Sequence, residues 1–364
     1  MLGLLKPIAD NLGISIAAAG QLMTVYSIAY AVGSPFLVVF SGRLMRRNVV
    51  LLGLALMLAG VVASAVAPST IVLYLTRIIV AFGAALYTPT AALVALTISP
   101  PDQRMRGLSL VLSGLTVAQI IGIPIGTYIG GEFGWRWGML VAAPTAAIAI
   151  VMIARLVPRD IPFHPPTFAT FGEALRDWRL GLVIAVMVVM GSGQFMVTTY
   201  IAPVIAEKTG AGSEVISIMF IIFGIAAMTG TIIGGRMGDR LGPARTLVLV
   251  LSMTTITALL FPLIGTSVVV AGLVTALWAF STFATMPVQQ ARVALTASPA
   301  SSSVALSLNA TAIYIATAVG ASAGGAVIAV SGTASVPWAA LPILLGAIVL
   351  VLFSERVLRK SRVR

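Results

Sequence analysis

Gly238-Asp239-Arg240-Leu241-Gly242-Pro243-Ala244-Arg245 is the stretch that decides the fold, because Ser41-Gly42-Arg43-Leu44-Met45-Arg46-Arg47 repeats it weakly near the start of the chain. Each stretch follows a long apolar segment. Each apolar segment in turn follows a short polar stretch that begins at a proline, at residues 7–15 and 203–213. Arg240 lies 197 residues after Arg43. Duplicated apolar units of this kind are typical of membrane transporters.

The repeat also predicts that the first half lacks its opening segment. The apolar segment before Pro203 begins near Leu180, and its counterpart 197 residues earlier would begin before Met1. We therefore expect five spans in the first half against six in the second.

The composition is that of a membrane protein. Apolar residues make up 59% of the 364 residues and charged residues 9%, too few charges to solvate a soluble protein of this size. Nearly charge-free runs of about 20 residues recur, and each is long enough to cross the hydrocarbon core as a helix. We predict eleven spans, at residues 17–41, 48–67, 70–98, 107–131, 137–157, 180–205, 214–235, 246–265, 267–290, 303–330 and 334–353.

The distribution of basic residues predicts the orientation. With the connection at 41–48 placed inside, the alternate connections and the C-terminal tail hold 18 of the 22 basic residues. Lys6, Arg136 and Lys208 lie on the other side, and Arg77 lies within a span. This asymmetry predicts a plasma-membrane protein, in bacteria an inner-membrane protein, with a cytoplasmic C-terminus. The net charge of +12 then reflects topology and contact with membrane lipid, and no nucleic-acid partner is expected.

The chain divides into a first half at 1–157, a central cytoplasmic loop at 158–179, a second half at 180–354 and a basic tail at 355–364. The loop is rich in proline, and its end at 170–179 could form a short amphipathic surface helix. His164 in this loop is interpreted as a solvated residue rather than a pH-sensitive gate. The absence of cysteine excludes disulfides and thiolate metal sites, and we predict neither a cofactor nor a metal.

Residues 235–245 resemble the signature loop between the second and third helices of each half in the major facilitator superfamily. Asp239 could lie at a helix N-terminus or pair with a neighbouring arginine, while Gly235 and Gly242 allow close packing and a tight turn. The resemblance implies a charged latch between the halves that involves Asp239, Arg240, Arg245 and Arg43; a purely topological basic loop is the alternative. The first copy departs from the motif, with Gly42 at the Asp position.

Two further stretches extend the resemblance. Arg77 and the residues after it resemble the fourth-helix motif of the superfamily, in which an intramembrane arginine is linked to proton coupling. Charges within a span are costly and usually functional, although an arginine near a helix end can extend to the interface. Gly114, Gly122, Pro124 and Gly126 resemble the fifth-helix antiporter motif, with the usual Gly-Pro pair split by Ile123. Their spacing predicts close approach to a neighbouring helix, which ordinary helix packing would also explain.

The whole chain resembles the drug:proton antiporter branch of this superfamily, particularly its arabinose-efflux-permease-like members. Residues 20–28 and 199–203 support that placement. The branch has twelve spans, so Met1–Pro7 would be the tail of its first helix. The resemblance implies an all-α, two-half helical bundle with a substrate cavity between the halves. Candidates for the cavity are the polar side chains Gln119, Gln194, Tyr200, Asn309 and Tyr26.

The resemblance favours a secondary transporter that exports a small organic molecule, such as a drug, a sugar or a nucleoside-like compound, in exchange for protons. One alternative is a transport-incompetent protein that lacks its first helix, or a misassigned start. A membrane-embedded enzyme is disfavoured, because the predicted spans hold no histidine, cysteine or interior acid from which a catalytic set could be built.

Overall fold

The computed structural model describes residues 1–100, 117–159, 176–297 and 302–362, together with the single positions 111, 114, 161 and 172. Within these ranges, the side chains at 38, 43, 96, 119, 302, 303 and 359–362 are not described. His164 and most of the predicted loop and surface helix therefore lie outside the described residues, as do the side chains of Arg43 and Gln119. Every regular element in the described ranges is helical.

The first half contains seven helical segments. They are α1 (Leu5–Leu12), α2 (Ile16–Phe40), α3 (Arg46–Ala65), α4 (Thr70–Ile98), α5 (Ile123–Glu132), α6 (Trp135–Leu140) and α7 (Ala142–Leu156). A π-helical turn at Ala118–Gly122 leads into α5. Helices α6 and α7 together form one apolar span at Trp135–Leu156.

The second half contains six longer helices. They are α8 (Trp178–Thr209), α9 (Ser213–Leu241), α10 (Pro243–Leu260), α11 (Val268–Thr296), α12 (Ser302–Ser331) and α13 (Val336–Arg362). Helix α13 runs through most of the segment that the sequence predicted as a basic tail.

Ten helices among the described residues are long and apolar enough to cross a membrane. They match ten of the eleven predicted spans, and α4 has the bounds predicted for it. The remaining prediction, at 107–131, begins outside the described residues, and its described end at residues 118–131 is helical.

The structure confirms the internal repeat. Helices α2 and α9 begin 197 residues apart, as do α3 and α10. Gly13 and Gly210, also 197 residues apart, end α1 and α8 in the left-handed conformation with φ of 63° and 67°. Helix α1 thus corresponds to the last eight residues of α8.

Glycines bring neighbouring helices of the same half into close contact. A Cβ added at Gly53 on α3 would lie 2.8 Å from the carbonyl oxygen of Gly83 on α4. In the second half, a Cβ at Gly234 on α9 would lie 2.3 Å from the carbonyl oxygen of Ala284 on α11. Because only glycine fits, these pairs hold the helices at a separation that leaves no room for a side chain.

More of the motif at 235–245 is helical than the sequence predicted. Helix α9 continues to Leu241, so Gly235 lies within a helix, and only Gly242, with φ of 83°, makes the turn. Asp239 lies in the last turn of α9, which corrects the prediction of a helix N-terminus. Polar residues alone do not end a helix. A glycine with a positive φ, which other residues rarely adopt, does end it.

Candidate functional site

The two halves are in close contact at one end of the bundle. We call the end that carries the loops after α2 and α9 the arginine-rich end, and the other the opposite end. At the opposite end, Ser213 of α9 donates a hydrogen bond to the Glu132 carboxylate of α5. A Cβ added at the adjacent Gly131 would lie 2.2 Å from the Ser213 Cβ. The halves therefore meet there without space for a larger side chain.

Tyr200 joins the halves at the same end. It lies on α8, is fully buried, and its hydroxyl donates a hydrogen bond to the carbonyl oxygen of Ala321 on α12 at 2.8 Å. A Cβ added at Gly20 on α2 would lie 1.9 Å from this hydroxyl oxygen, and one at Gly324 would lie 2.7 Å from the ring. The ring is thus held between two glycines that belong to different halves.

A polar contact beside Tyr200 connects α2 and α12. The Ser322 hydroxyl lies 3.1 Å from the Thr24 hydroxyl and 3.4 Å from the Gln21 side-chain oxygen. These side chains hydrogen-bond to one another across the boundary between the halves.

Nearer the arginine-rich end lies a cavity of about 630 Å³, between helices of the first half and α12 of the second half. Its walls come from α2, α3, α4, α7, α12 and the chain before α5. The polar groups are Tyr30, Ser34, Tyr87, Thr88, Thr145, Ser307 and Thr311. No described residue that lines it is charged. A cavity of this volume suits a small organic molecule.

Three tyrosines cluster beside this cavity, and one of them, Tyr30, lines it. Tyr30 of α2 and Tyr314 of α12 stack across the boundary between the halves, with ring centroids 3.6 Å apart and planes inclined by 24°. Tyr26, one of the predicted cavity residues, lies beside them, with its ring 6.2 Å from that of Tyr314. These rings are the aromatic surface that the first half shares with the second.

Arg77 lies in a second cavity, of about 620 Å³, that adjoins the first. Its side chain is only 7% exposed, and Nη2 donates to the Ser64 hydroxyl at 2.7 Å. The Ser64 hydroxyl lies 2.6 Å from the Gly60 carbonyl oxygen and 2.8 Å from the Thr76 hydroxyl, and its single proton serves one of them. Arg77 Nε is buried without a hydrogen-bond partner among the described residues. The guanidinium is therefore buried rather than extended to the interface, and its donors are incompletely satisfied.

The other predicted cavity residues lie inside the second half. Gln194 is fully buried, with its amide nitrogen 3.3 Å from the Thr285 hydroxyl. Asn309 is 2% exposed, and the side-chain oxygens of both amides lack a partner among the described residues. Neither residue lines the two cavities described above, and Tyr200 belongs to the contact at the opposite end.

The glycines of the antiporter-like motif lie in two different environments. Gly126 and Pro124 are buried, and a Cβ at Gly126 would lie 3.4 Å from the carbonyl oxygen of Gly138 on α6. Gly114 and Gly122, however, have no described atom within 4 Å of an added Cβ, and both line the Arg77 cavity. The described residues therefore show no close helix contact at these two glycines.

The charged motif at the arginine-rich end is solvated in this conformation. Asp239, Arg240 and Arg245 are exposed. The ion pairs among the described residues are Lys6–Asp10 and Arg292–Glu355, so Asp239 forms none there. Among the described residues, the predicted latch therefore shows no ion pair at Asp239.

Sequence reasoning missed much of the cavity wall. Tyr87, Thr88, Ser34, Ser307 and Thr311 line it but are common residues for an apolar helix. The sequence feature that could have indicated this part of the cavity wall was Pro89, which follows Tyr87 and Thr88 inside a span.

Comparisons with known proteins agree with this architecture. The family model of the Major Facilitator Superfamily matches residues 1–202 and again residues 182–364. The chain is 31% identical over 336 residues to the uncharacterized MFS-type transporter YbcL of Bacillus subtilis, covering 92% of this chain and 86% of YbcL. It is 30% identical over 350 residues to the inner membrane transport protein YdhP of Escherichia coli strain K12, covering 96% of this chain and 88% of YdhP.

A solved structure shares the fold. It is a bacterial homologue of the human lysosomal transporter Spinster in an inward-facing and occupied conformation, with a TM-score of 0.82 and 17% identity. The match covers 98% of this chain and 92% of that chain. The chain therefore belongs to the major facilitator superfamily and is a multi-pass secondary transporter of small molecules rather than an enzyme.

Proposed function

We propose that this transporter exports small organic molecules in exchange for protons, as a member of the drug:proton antiporter branch. The observation that carries the proposal is Arg77, a buried guanidinium in the membrane-spanning part of α4 whose described hydrogen-bond acceptor is one serine hydroxyl. A charge in such a place is expensive unless the protein uses it.

Arg77 gives proton coupling a physical basis. An arginine keeps its own proton, but it favours the ionised form of any acid that docks against it. An acid that approaches Arg77 therefore releases a proton, and one that moves away takes a proton up. Arg77 lines the cavity that adjoins the larger one, so such an acid would exchange its proton beside the transported molecule.

The two ends of the bundle supply the alternating conformations. The opposite end is closed in this structure, and the cavity lies on the side of the arginine-rich end. In the other conformation we expect the charged latch to form between Asp239 and the arginines of the two motifs. Closing one end while opening the other is the expected behaviour of a repeat transporter.

We place the arginine-rich end in the cytoplasm of a bacterium and the protein in the inner membrane. The asymmetry of basic residues supports this orientation. The name of YdhP, an inner membrane transport protein, supports the compartment. The cavity then faces the cytoplasm, as an exporter requires for loading.

The test is proton exchange in everted membrane vesicles. A respiratory pH gradient is established, and its collapse is followed with a pH-sensitive dye after addition of ethidium, arabinose or uridine. These probes represent a drug, a sugar and a nucleoside. We expect one class to dissipate the gradient in vesicles that contain the protein and not in vesicles without it.

Variants separate coupling from folding. Arg77→Ala should abolish the exchange while membrane insertion stays normal, and Arg77→Lys should restore little of it if the planar guanidinium geometry matters. Arg155→Ala, at an exposed position at the end of α7 and outside both motifs, is the matched control and should behave as wild type. Full exchange by both Arg77 variants would refute the assignment.

A further inference from the structure

A cluster of tyrosines lies beside the larger cavity, and its member Tyr30 lines that cavity. Tyr26 and Tyr30 lie one helical turn apart on α2, and Tyr314 faces them from α12. These are three of the seven tyrosines in the chain, and Tyr87 of α4 lines the same cavity. Aromatic residues are therefore concentrated at one site between the halves.

The tyrosine cluster packs against small residues of α4. Tyr30 packs against the buried Ala81, Ala84 and Ala85 of α4, and Tyr26 and Tyr314 pack beside them. On its other side Tyr30 faces the cavity. Because these α4 residues are alanines, the tyrosine rings can shift without displacing a larger side chain behind them.

The stacked pair joins two parts of the protein that must separate. Tyr30 belongs to the first half and Tyr314 to the second. Their nearly parallel faces, 3.6 Å between centroids, adopt the geometry of an aromatic stack. When the halves part at this level, each tyrosine is separated from the ring it stacks on, and a flat ring of similar thickness can replace it.

The surrounding chemistry limits what such a molecule can carry. The described residues that line the cavity offer hydroxyl groups and apolar surface, with no charge. A charged group placed there would lose its hydration without gaining a partner, which is unfavourable. Hydroxyls at Ser34, Thr88 and Thr311 could still hydrogen-bond to a polar substituent.

We propose that Tyr30 and Tyr314 form a stacking subsite for a planar, uncharged aromatic ring of the transported molecule. The ring inserts between the two tyrosines, so one contact between tyrosines is replaced by two contacts with the ligand. The proposal rests on the proposed transport function and specifies its substrate class. It also links occupation of the site to the separation of the halves.

Binding to the purified full-length protein in lipid nanodiscs tests the proposal without a proton gradient. The probe is 2-naphthol, and the comparison compound is decahydro-2-naphthol, which has the same carbon skeleton and hydroxyl but no flat ring. Equilibrium dialysis with subtraction of empty nanodiscs gives specific binding of each compound. We expect 2-naphthol to bind several-fold to about tenfold more tightly, the range of an aromatic contact.

Variants assign the binding to the tyrosines. Tyr30→Leu and Tyr314→Leu should each weaken 2-naphthol binding several-fold and leave decahydro-2-naphthol binding unchanged. Tyr30→Phe keeps the ring and should keep most of the affinity, which also decides the matter if a leucine variant does not fold. Tyr128→Leu, at an exposed tyrosine of α5, is the matched control and should bind as wild type.

Equal binding of the two compounds to wild type would overturn the proposal, as would an equal reduction in Tyr30→Phe and Tyr30→Leu. Because this measurement involves no proton movement, it remains informative if Arg77 variants prove fully active. In that case, preferential binding of 2-naphthol that depends on the rings of Tyr30 and Tyr314 would still support the subsite. The proposed role of Arg77 in proton coupling would be refuted.

Discussion

Gly20→Ala should open the end of the bundle that is closed in this structure. The added Cβ would lie 1.9 Å from the Tyr200 hydroxyl oxygen and 2.5 Å from two ring carbons. Ordinary contact begins at about 3.4 Å, so the two groups must move apart by about 1.5 Å. Gly324 restricts the ring on its other face, so we expect the halves to separate.

The energetic cost has two sources, a broken hydrogen bond and a steric overlap. Moving Tyr200 breaks its hydrogen bond to the Ala321 carbonyl oxygen, worth about 1 kcal/mol. Overpacking at a buried position adds about 1–3 kcal/mol. A total of about 2–4 kcal/mol would shift the equilibrium between the two conformations by about 30-fold or more towards the one open at this end.

Distance measurements by pulsed electron paramagnetic resonance read out this shift. The chain has no cysteine, so label pairs can be introduced without removing native thiols. Asp10→Cys with Glu207→Cys reports on the opposite end, and Arg155→Cys with Arg356→Cys reports on the arginine-rich end; all four positions are exposed. In Gly20→Ala the first distance should lengthen and the second should shorten.

Two glycine controls isolate the cause. Gly346→Ala lies on α13 with no described atom within 4 Å of the new Cβ and should leave both distances unchanged. Gly53→Ala clashes within the first half and should lower thermal stability without altering either distance. If Gly20→Ala gave the same distance distributions as Gly346→Ala, the steric account of closure would be wrong.

Two further outcomes are expected. Arg292 is buried and donates to the Ser354 hydroxyl at 2.8 Å, so Arg292→Ala should destabilise the detergent-solubilised protein by about 2–4 kcal/mol, seen as a lower Tm. Glu355→Gln weakens an ion pair of 3.9 Å and should cost under about 1 kcal/mol; equal costs would refute this assignment. Reporter fusions after Arg364 and within 206–213 should lie in opposite compartments, the first cytoplasmic, and a shared compartment would refute the topology.

The helices were predictable because each depends on a local signal. Apolar length located ten spans, and α4 was predicted with the bounds the structure shows. The two copies of the repeat could be aligned from their basic stretches. Duplicated halves keep the spacing of turns and helix caps, as Gly13 and Gly210 show. The predicted spans end at residues 235 and 353, whereas α9 and α13 continue to Leu241 and Arg362. The change to polar composition marks the membrane boundary and not the end of a helix.

The site was less predictable because it depends on how helices rotate against partners distant in sequence. Tyr30 and Tyr314 belong to different halves, and no spacing in the chain indicates that their rings stack. The same holds for Gly20, whose small size matters only because Tyr200 lies against it.

The two ends of the bundle are built from different chemistry. At the opposite end, Gly20 and Gly131 bring the halves together at distances that leave no room for a Cβ atom. Such a contact depends on shape, so it should respond to an added methyl group and be indifferent to salt.

At the arginine-rich end the equivalent surfaces carry exposed charges such as Asp239 and Arg240, and the proposed latch would be electrostatic. Exposed charge pairs are screened, with a Debye length of about 10 Å at 0.1 M salt and about 3 Å at 1 M. Raising the ionic strength should therefore weaken closure at this end alone. A transporter with one steric and one electrostatic closure favours the conformation shown here whenever its latch is screened.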